Sequence, residues 1–145
     1  MKKYLLWVED DYYAIKGLFR PLERSGFLID VATSAADGYH KALKWDKYAL
    51  IIVDLIMPLS DSDTSWPLPA EVEAWKKEEY AGIGLLKWLK LKLGAECPIL
   101  LLSIIQDPIS KYGLEDLHLD GTLMKRGLLP TQVKEVVFQI LGLED

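Results

Sequence analysis

Six consecutive apolar residues, Tyr48-Ala49-Leu50-Ile51-Ile52-Val53, run without interruption into Asp54, between Lys47 and Pro58. A run that does not alternate has no solvent face. It predicts a strand buried on both sides, as in a parallel sheet covered by helices. A carboxylate at its end then lies at the sheet edge where open α/β folds place their ligands. A second run, Tyr4-Leu5-Leu6-Trp7-Val8, ends in Glu9-Asp10-Asp11. Two strands that bring carboxylates to one rim point to a site for a hard cation.

The rest of the chain alternates in the same way. Strands are predicted at Leu28–Ala32, Pro98–Ser103 and Thr122–Met124 as well. Helical spacing of Ile15, Leu18, Phe19 and Leu22 predicts a helix over Tyr12–Arg24, loosened by Pro21 and stopped at Ser25-Gly26. Ser34 is placed as the N-cap of a helix to about Lys44, with Asp37 three positions on. Further helices are predicted at Ile83–Leu93, ending at Gly94, at Ile109–Leu117, and from Pro130 onward. Strand and helix alternating five times predict a doubly wound five-stranded parallel sheet in one domain, residues 1–145. Residues 59–80 do not fit the alternation. They lack a strong period, carry Trp66, Trp75 and Tyr80, and contain one candidate short helix over Pro69–Glu79 with Val72 and Trp75 facing inward.

Bulk properties exclude some function classes. The net charge of −5 argues against nucleic acid as a direct partner. No apolar stretch approaches the roughly 18 residues of a membrane span, and no signal-peptide cleavage region follows Met1-Lys2-Lys3. The one cysteine, Cys97, precludes an internal disulfide and is expected to be a small buried hydrophobe. A cytoplasmic protein without a membrane partner is therefore expected. His40 and His118 stand isolated and are expected at the surface, Trp7 and Trp45 in packing.

At the predicted strand ends stand Glu9 and Asp10, Asp54, Ser103 and Lys125. Clustered carboxylates repel one another unless a cation holds them together. Magnesium takes oxygen ligands and leaves room for water and phosphate. An aspartate can attack phosphorus, a lysine supplies a point charge, and a serine hydroxyl donates a hydrogen bond to a phosphoryl oxygen. Taken singly, each has a plainer explanation. A strand-end acid can cap the next helix, Ser103 can start a turn, and Lys125 can be a solvated charge.

Together, Val8-Glu9-Asp10, Asp54-Leu55-Ile56-Met57-Pro58, Ser103 and Lys125, in this order and spacing, resemble the receiver domain of bacterial two-component response regulators. Gly82-Ile83-Gly84-Leu85-Leu86 resembles the start of the receiver's third helix. The resemblance implies that Asp54 is the phosphoacceptor. It implies that Glu9, Asp10, Asp54 and the Ile56 backbone carbonyl bind Mg²⁺, and that Ser103 and Lys125 bind the phosphoryl group. It implies a histidine kinase or phosphotransfer protein as donor and a downstream protein as target. Because the chain stops soon after the last helix, a stand-alone regulator of the chemotaxis type is expected, with no enzymatic turnover.

Departures from the family pattern leave an alternative open. Residues 59–80 stand as an insertion beside the acids. Thr122 occupies the place of a switching aromatic, Ile104 that of a small residue, and Arg126 that of a proline. A receiver-fold adaptor that works without phosphorylation is the main rival. A phosphatase of the haloacid dehalogenase type is a weaker one, because Ile56 stands where its general acid would be. The insertion, through Trp66 or Trp75, is expected to share in reading out the switch.

Overall fold

The computed structural model describes residues 2–61 and 67–144. Asp63 and Trp66 lie outside them. Five strands form one all-parallel sheet in the order β2-β1-β3-β4-β5: β1 Tyr4–Val8, β2 Leu28–Ala32, β3 Tyr48–Asp54, β4 Ile99–Ser103 and β5 Gly121–Met124. This is the predicted doubly wound fold, and every expected strand is present within a residue of its expected bounds. All seven residues of β3 are buried, as its unbroken apolar run requires. The strand order reverses between β1 and β3, which is where such sheets open a crevice at their carboxyl ends.

Side-chain alternation divides the interior in two. Leu6, Val8, Ile51, Val53, Ile99 and Leu101 face one core, and Leu5, Trp7, Leu50, Ile52, Leu100 and Leu102 the other. The first core is covered by α3 (Ala35–Ala42) and by α5 (Ala81–Lys87), which continues as a π-helical turn over Trp88–Lys92. The second is covered by the helical segments after β1 and by α7 (Pro130–Leu141), which buries Val133 and Val137. Each fully buried aliphatic side chain contributes roughly 1.5–3 kcal/mol against leaving it in water.

The stretch after β1 is not one helix. It divides into α1 (Tyr12–Ile15), a 3₁₀ turn Lys16–Leu18 and α2 (Arg20–Arg24). Pro21 does not loosen a last turn, as the sequence predicts, but sits in the first turn of a new segment, where its missing N–H costs nothing. Ser34 caps α3 as expected, its Oγ accepting the Asp37 N–H at 3.0 Å. The predicted Ile109–Leu117 helix shrinks to α6 (Pro108–Lys111) and a 3₁₀ turn Glu115–Leu117. Between them Gly113 has φ 64°, a left-handed break that a continuous helix excludes.

Within 59–80 the candidate short helix is present as α4 (Ala70–Glu73) followed by a 3₁₀ turn Ala74–Lys77. Val72 and Trp75 point inward and are buried. Cys97 and Trp7 are buried as well, and His40 and His118 are exposed. Among the described residues no helix is long and apolar enough to cross a membrane.

Candidate acidic site at the strand ends

The parallel register carries the predicted residues to one rim. The Glu9 N–H donates to the Ala32 carbonyl at 2.8 Å and extends β1 by one bond. The Leu55 N–H does the same for β3 against the Leu102 carbonyl at 3.1 Å, and the Lys125 N–H for β5 against Ser103 at 2.8 Å. The backbones of Glu9, Asp54 and Lys125 are thus fixed by the sheet.

Glu9, Asp10 and Asp54 each present a carboxylate oxygen within 4.8 Å of the others. Glu9 and Asp54 are buried and Asp10 is exposed. None of the three caps the following helix. That work falls to Asp11, whose Oδ1 accepts the Ala14 N–H at 3.2 Å. Hence the plainer explanation for Glu9 and Asp10, helix capping, does not apply.

Lys125 reaches into the cluster. Its ammonium donates to Glu9 Oε1 and to Asp54 Oδ2, the latter at 2.9 Å. Asp54 Oδ1 accepts the Ile56 N–H at 3.1 Å, and Glu9 Oε2 accepts the Asp10 N–H at 3.1 Å. Burial, together with the hydrogen bond to Asp54, pushes the Glu9 carboxyl up to about 9, further than Lys125 pulls it back. Burial also works against the Lys125 charge, but its bonds to Glu9 and Asp54 prevail and hold its pKa above the usual lysine value.

Three carboxyl groups stand against one ammonium, and even with Glu9 protonated the acids of the mostly buried pocket outnumber its cation. All the acidic donors are hard oxygens, and one side, at Asp10, is open to solvent. That donor set fits a divalent cation such as Mg²⁺, which is bound through few protein oxygens and keeps part of its water.

Ser103 is buried at the end of β4. Its Oγ donates to the Ile105 carbonyl at 3.1 Å and accepts the Ile105 N–H at 2.8 Å, so the hydroxyl closes its own loop. Ile104 is half-exposed at the rim, and Thr122 is exposed on β5. A contact that sequence reasoning did not find is Gly82. A Cβ there would lie 2.7 Å from the Asp54 carbonyl oxygen, so α5 rests directly on the backbone of the site. The signal was present in Gly82-Ile83-Gly84, two glycines inside an otherwise helical pattern.

This arrangement has the fold of the response regulator receiver domains. The receiver domain of Francisella response regulator 1452 is similar over 97% of both chains, with TM-score 0.69 and 19% identity. The chemotaxis response regulator CheY4 of Vibrio cholerae is similar over 97% of this chain and 99% of its own, with TM-score 0.70 and 18% identity. At such identities the likeness is one of fold. Among curated proteins, the transcriptional regulatory protein CusR of Escherichia coli is 41% identical over 54 residues, 37% of this chain and 23% of CusR. The chain thus matches under a quarter of that relative's length. No family model matches the sequence.

Proposed function

We propose that residues 1–145 form one receiver unit that accepts a phosphoryl group on Asp54 from a histidine kinase or phosphotransfer protein in the cytoplasm. The observation that carries it is the Asp54 carboxylate, buried at the end of the central strand with one oxygen on the Ile56 N–H and the other on the Lys125 ammonium. An Asp54 oxygen attacks the phosphorus of a phosphohistidine. The P–O bond forms as the P–N bond breaks, and the imidazole nitrogen leaves with the electron pair and takes a proton. The acyl phosphate then signals through altered contact with a downstream protein.

Glu9, Asp10, Asp54 and the Ile56 carbonyl would hold Mg²⁺, which offsets charge on the phosphoryl oxygens. Lys125 slides from the carboxylates to a phosphoryl oxygen as the charge on Asp54 is esterified. Ser103 exchanges its bond to the Ile105 carbonyl for one to a second phosphoryl oxygen. The chain acts as a stoichiometric acceptor, because Ile56 provides no general acid for turnover. The net charge of −5 favours protein over nucleic acid as the direct partner.

Incubation with acetyl phosphate and Mg²⁺, followed by intact-mass measurement, tests this. One phosphoryl adduct is expected, absent in Asp54→Asn. A second reading, an adaptor that is never phosphorylated, draws on exposed Thr122 and on the self-bonded Ser103 hydroxyl. No adduct under forcing conditions, in a folded protein, would establish it over the first.

A further inference from the structure

Helix α5 is held on two sides at once, and both holds depend on glycine. At Gly82 a Cβ would lie 2.7 Å from the Asp54 carbonyl oxygen and nearer still to that of Leu55. The helix backbone therefore lies against the backbone that carries Asp54. At Gly84 a Cβ would lie 2.7 Å from Cδ1 of Trp75. The Trp75 indole takes the space a side chain at 84 would fill. Neither place admits a larger residue unless backbone or a buried ring shifts.

Trp75 is held as closely on its other sides. Its ring centroid lies 6.2 Å from those of Tyr39 and Trp88, which are 4.5 Å from each other. The Tyr39 hydroxyl donates to Glu71 at 2.7 Å, and the Lys87 ammonium donates to Glu78 at 3.1 Å. The segment around α4 is thus fastened to α3 through Tyr39 and to α5 through Lys87. A cleft of about 300 Å³, floored by Trp75 and Trp88 and edged by Leu91, opens beside these rings. There α5 passes into its π-helical turn, a rare geometry that recurs at functional sites.

We propose that α5 is a transmission element between the acidic site and the segment around Trp75. A change in the backbone at Asp54 and Leu55 is carried into α5 at Gly82. It leaves α5 at Gly84, where it displaces Trp75 against Tyr39 and Trp88 and reshapes the cleft. Close-packed contacts of this kind move as a unit rather than yielding continuously. Coupling free energy between two places is reciprocal, so a change at Trp75 that biases the position of α5 must also bias the Asp54 loop. The outward direction rests on the phosphoacceptor reading, and the reciprocal direction does not.

The reciprocal direction is tested first, in the whole chain. Amide hydrogen exchange is compared at Ile56, whose N–H is bonded to the Asp54 carboxylate. Trp75→Phe is set against Val133→Ala, which thins the opposite core and serves to match any general loss of stability. Exchange at Ile56 at least about fivefold faster in Trp75→Phe alone is expected, the lower end of ordinary coupling. Equal exchange in the two variants overturns the proposal. In the second arm the chain is labelled with 5-fluorotryptophan, and the Trp75 fluorine resonance is identified by its loss in Trp75→Phe. Beryllofluoride with Mg²⁺ is expected to move that resonance in the wild type and not in Asp54→Asn. A bound mimic that leaves the resonance in place overturns the outward coupling. Failure of the mimic to bind counts against phosphorylation at Asp54, and the amide exchange then decides the coupling by itself.

Discussion

Glu9 and Lys125 set the electrostatics of the site, and Glu9 makes it sensitive to pH. With its carboxyl pushed up to about 9, Glu9 favours its protonated form at neutral pH, and a divalent cation held there would have to displace that proton. Affinity for Mg²⁺ is therefore expected to rise with pH, by at most about tenfold per unit, and to level off near 9. Calorimetric titration at several pH values checks this, and Glu9→Gln should flatten the dependence. Without metal the same shift acts on stability. The folded form keeps the proton above the ordinary carboxyl value of 4.5, so the Glu9 contribution is full below 4.5 and is lost as pH rises toward 9. The identities of these residues were legible in the sequence, because an acid that ends an apolar run has only the sheet rim to occupy. Their bonding was not. Nothing in the sequence places the Lys125 ammonium on Glu9 and Asp54, or turns the Ser103 hydroxyl to Ile105, since both depend on which strands lie side by side.

At the scale of elements, short pieces rely on single side chains. α1 has one turn, and the Asp11 carboxylate supplies its side-chain cap. Asp11→Ala is expected to cost about 1 kcal/mol of stability and to leave phosphoryl uptake intact, by denaturant unfolding and the acetyl phosphate assay respectively. Buried Trp75 should matter more. Trp75→Ala is expected to cost about 3–5 kcal/mol by denaturant unfolding, because the cavity would adjoin α3 and α5 together. Long or strongly periodic elements were the legible ones, with β3 and α7 foremost. The stretch after β1 misled because apolar spacing continued smoothly across Lys16–Leu18 while Pro21, lacking an N–H, required a new start. The 59–80 stretch disclosed its inward side chains, Val72 and Trp75, but not their destination. For Trp75 that destination is set by Gly84 on a different helix.

For the whole molecule, the sheet order puts β3 at the centre with a packed core on either face. Leu102→Ala, beside Asp54 in register, is expected to cost about 2–5 kcal/mol by denaturant unfolding. The parallel fold itself was legible from the alternation of patterns. The two-sided burial was legible too, from the unbroken apolar run of β3, whereas the register that sets Leu102 beside Asp54 was not. Lys125 carries a consequence for how the molecule is assembled. The residues it bonds lie 116 and 71 positions earlier in the chain. Until β5 docks, the two buried carboxylates at the centre of the sheet have no ammonium between them. A chain emerging from the ribosome thus cannot finish its acidic pocket when Asp54 emerges. The last strand completes the site, so the pocket forms only when nearly the whole chain has been made.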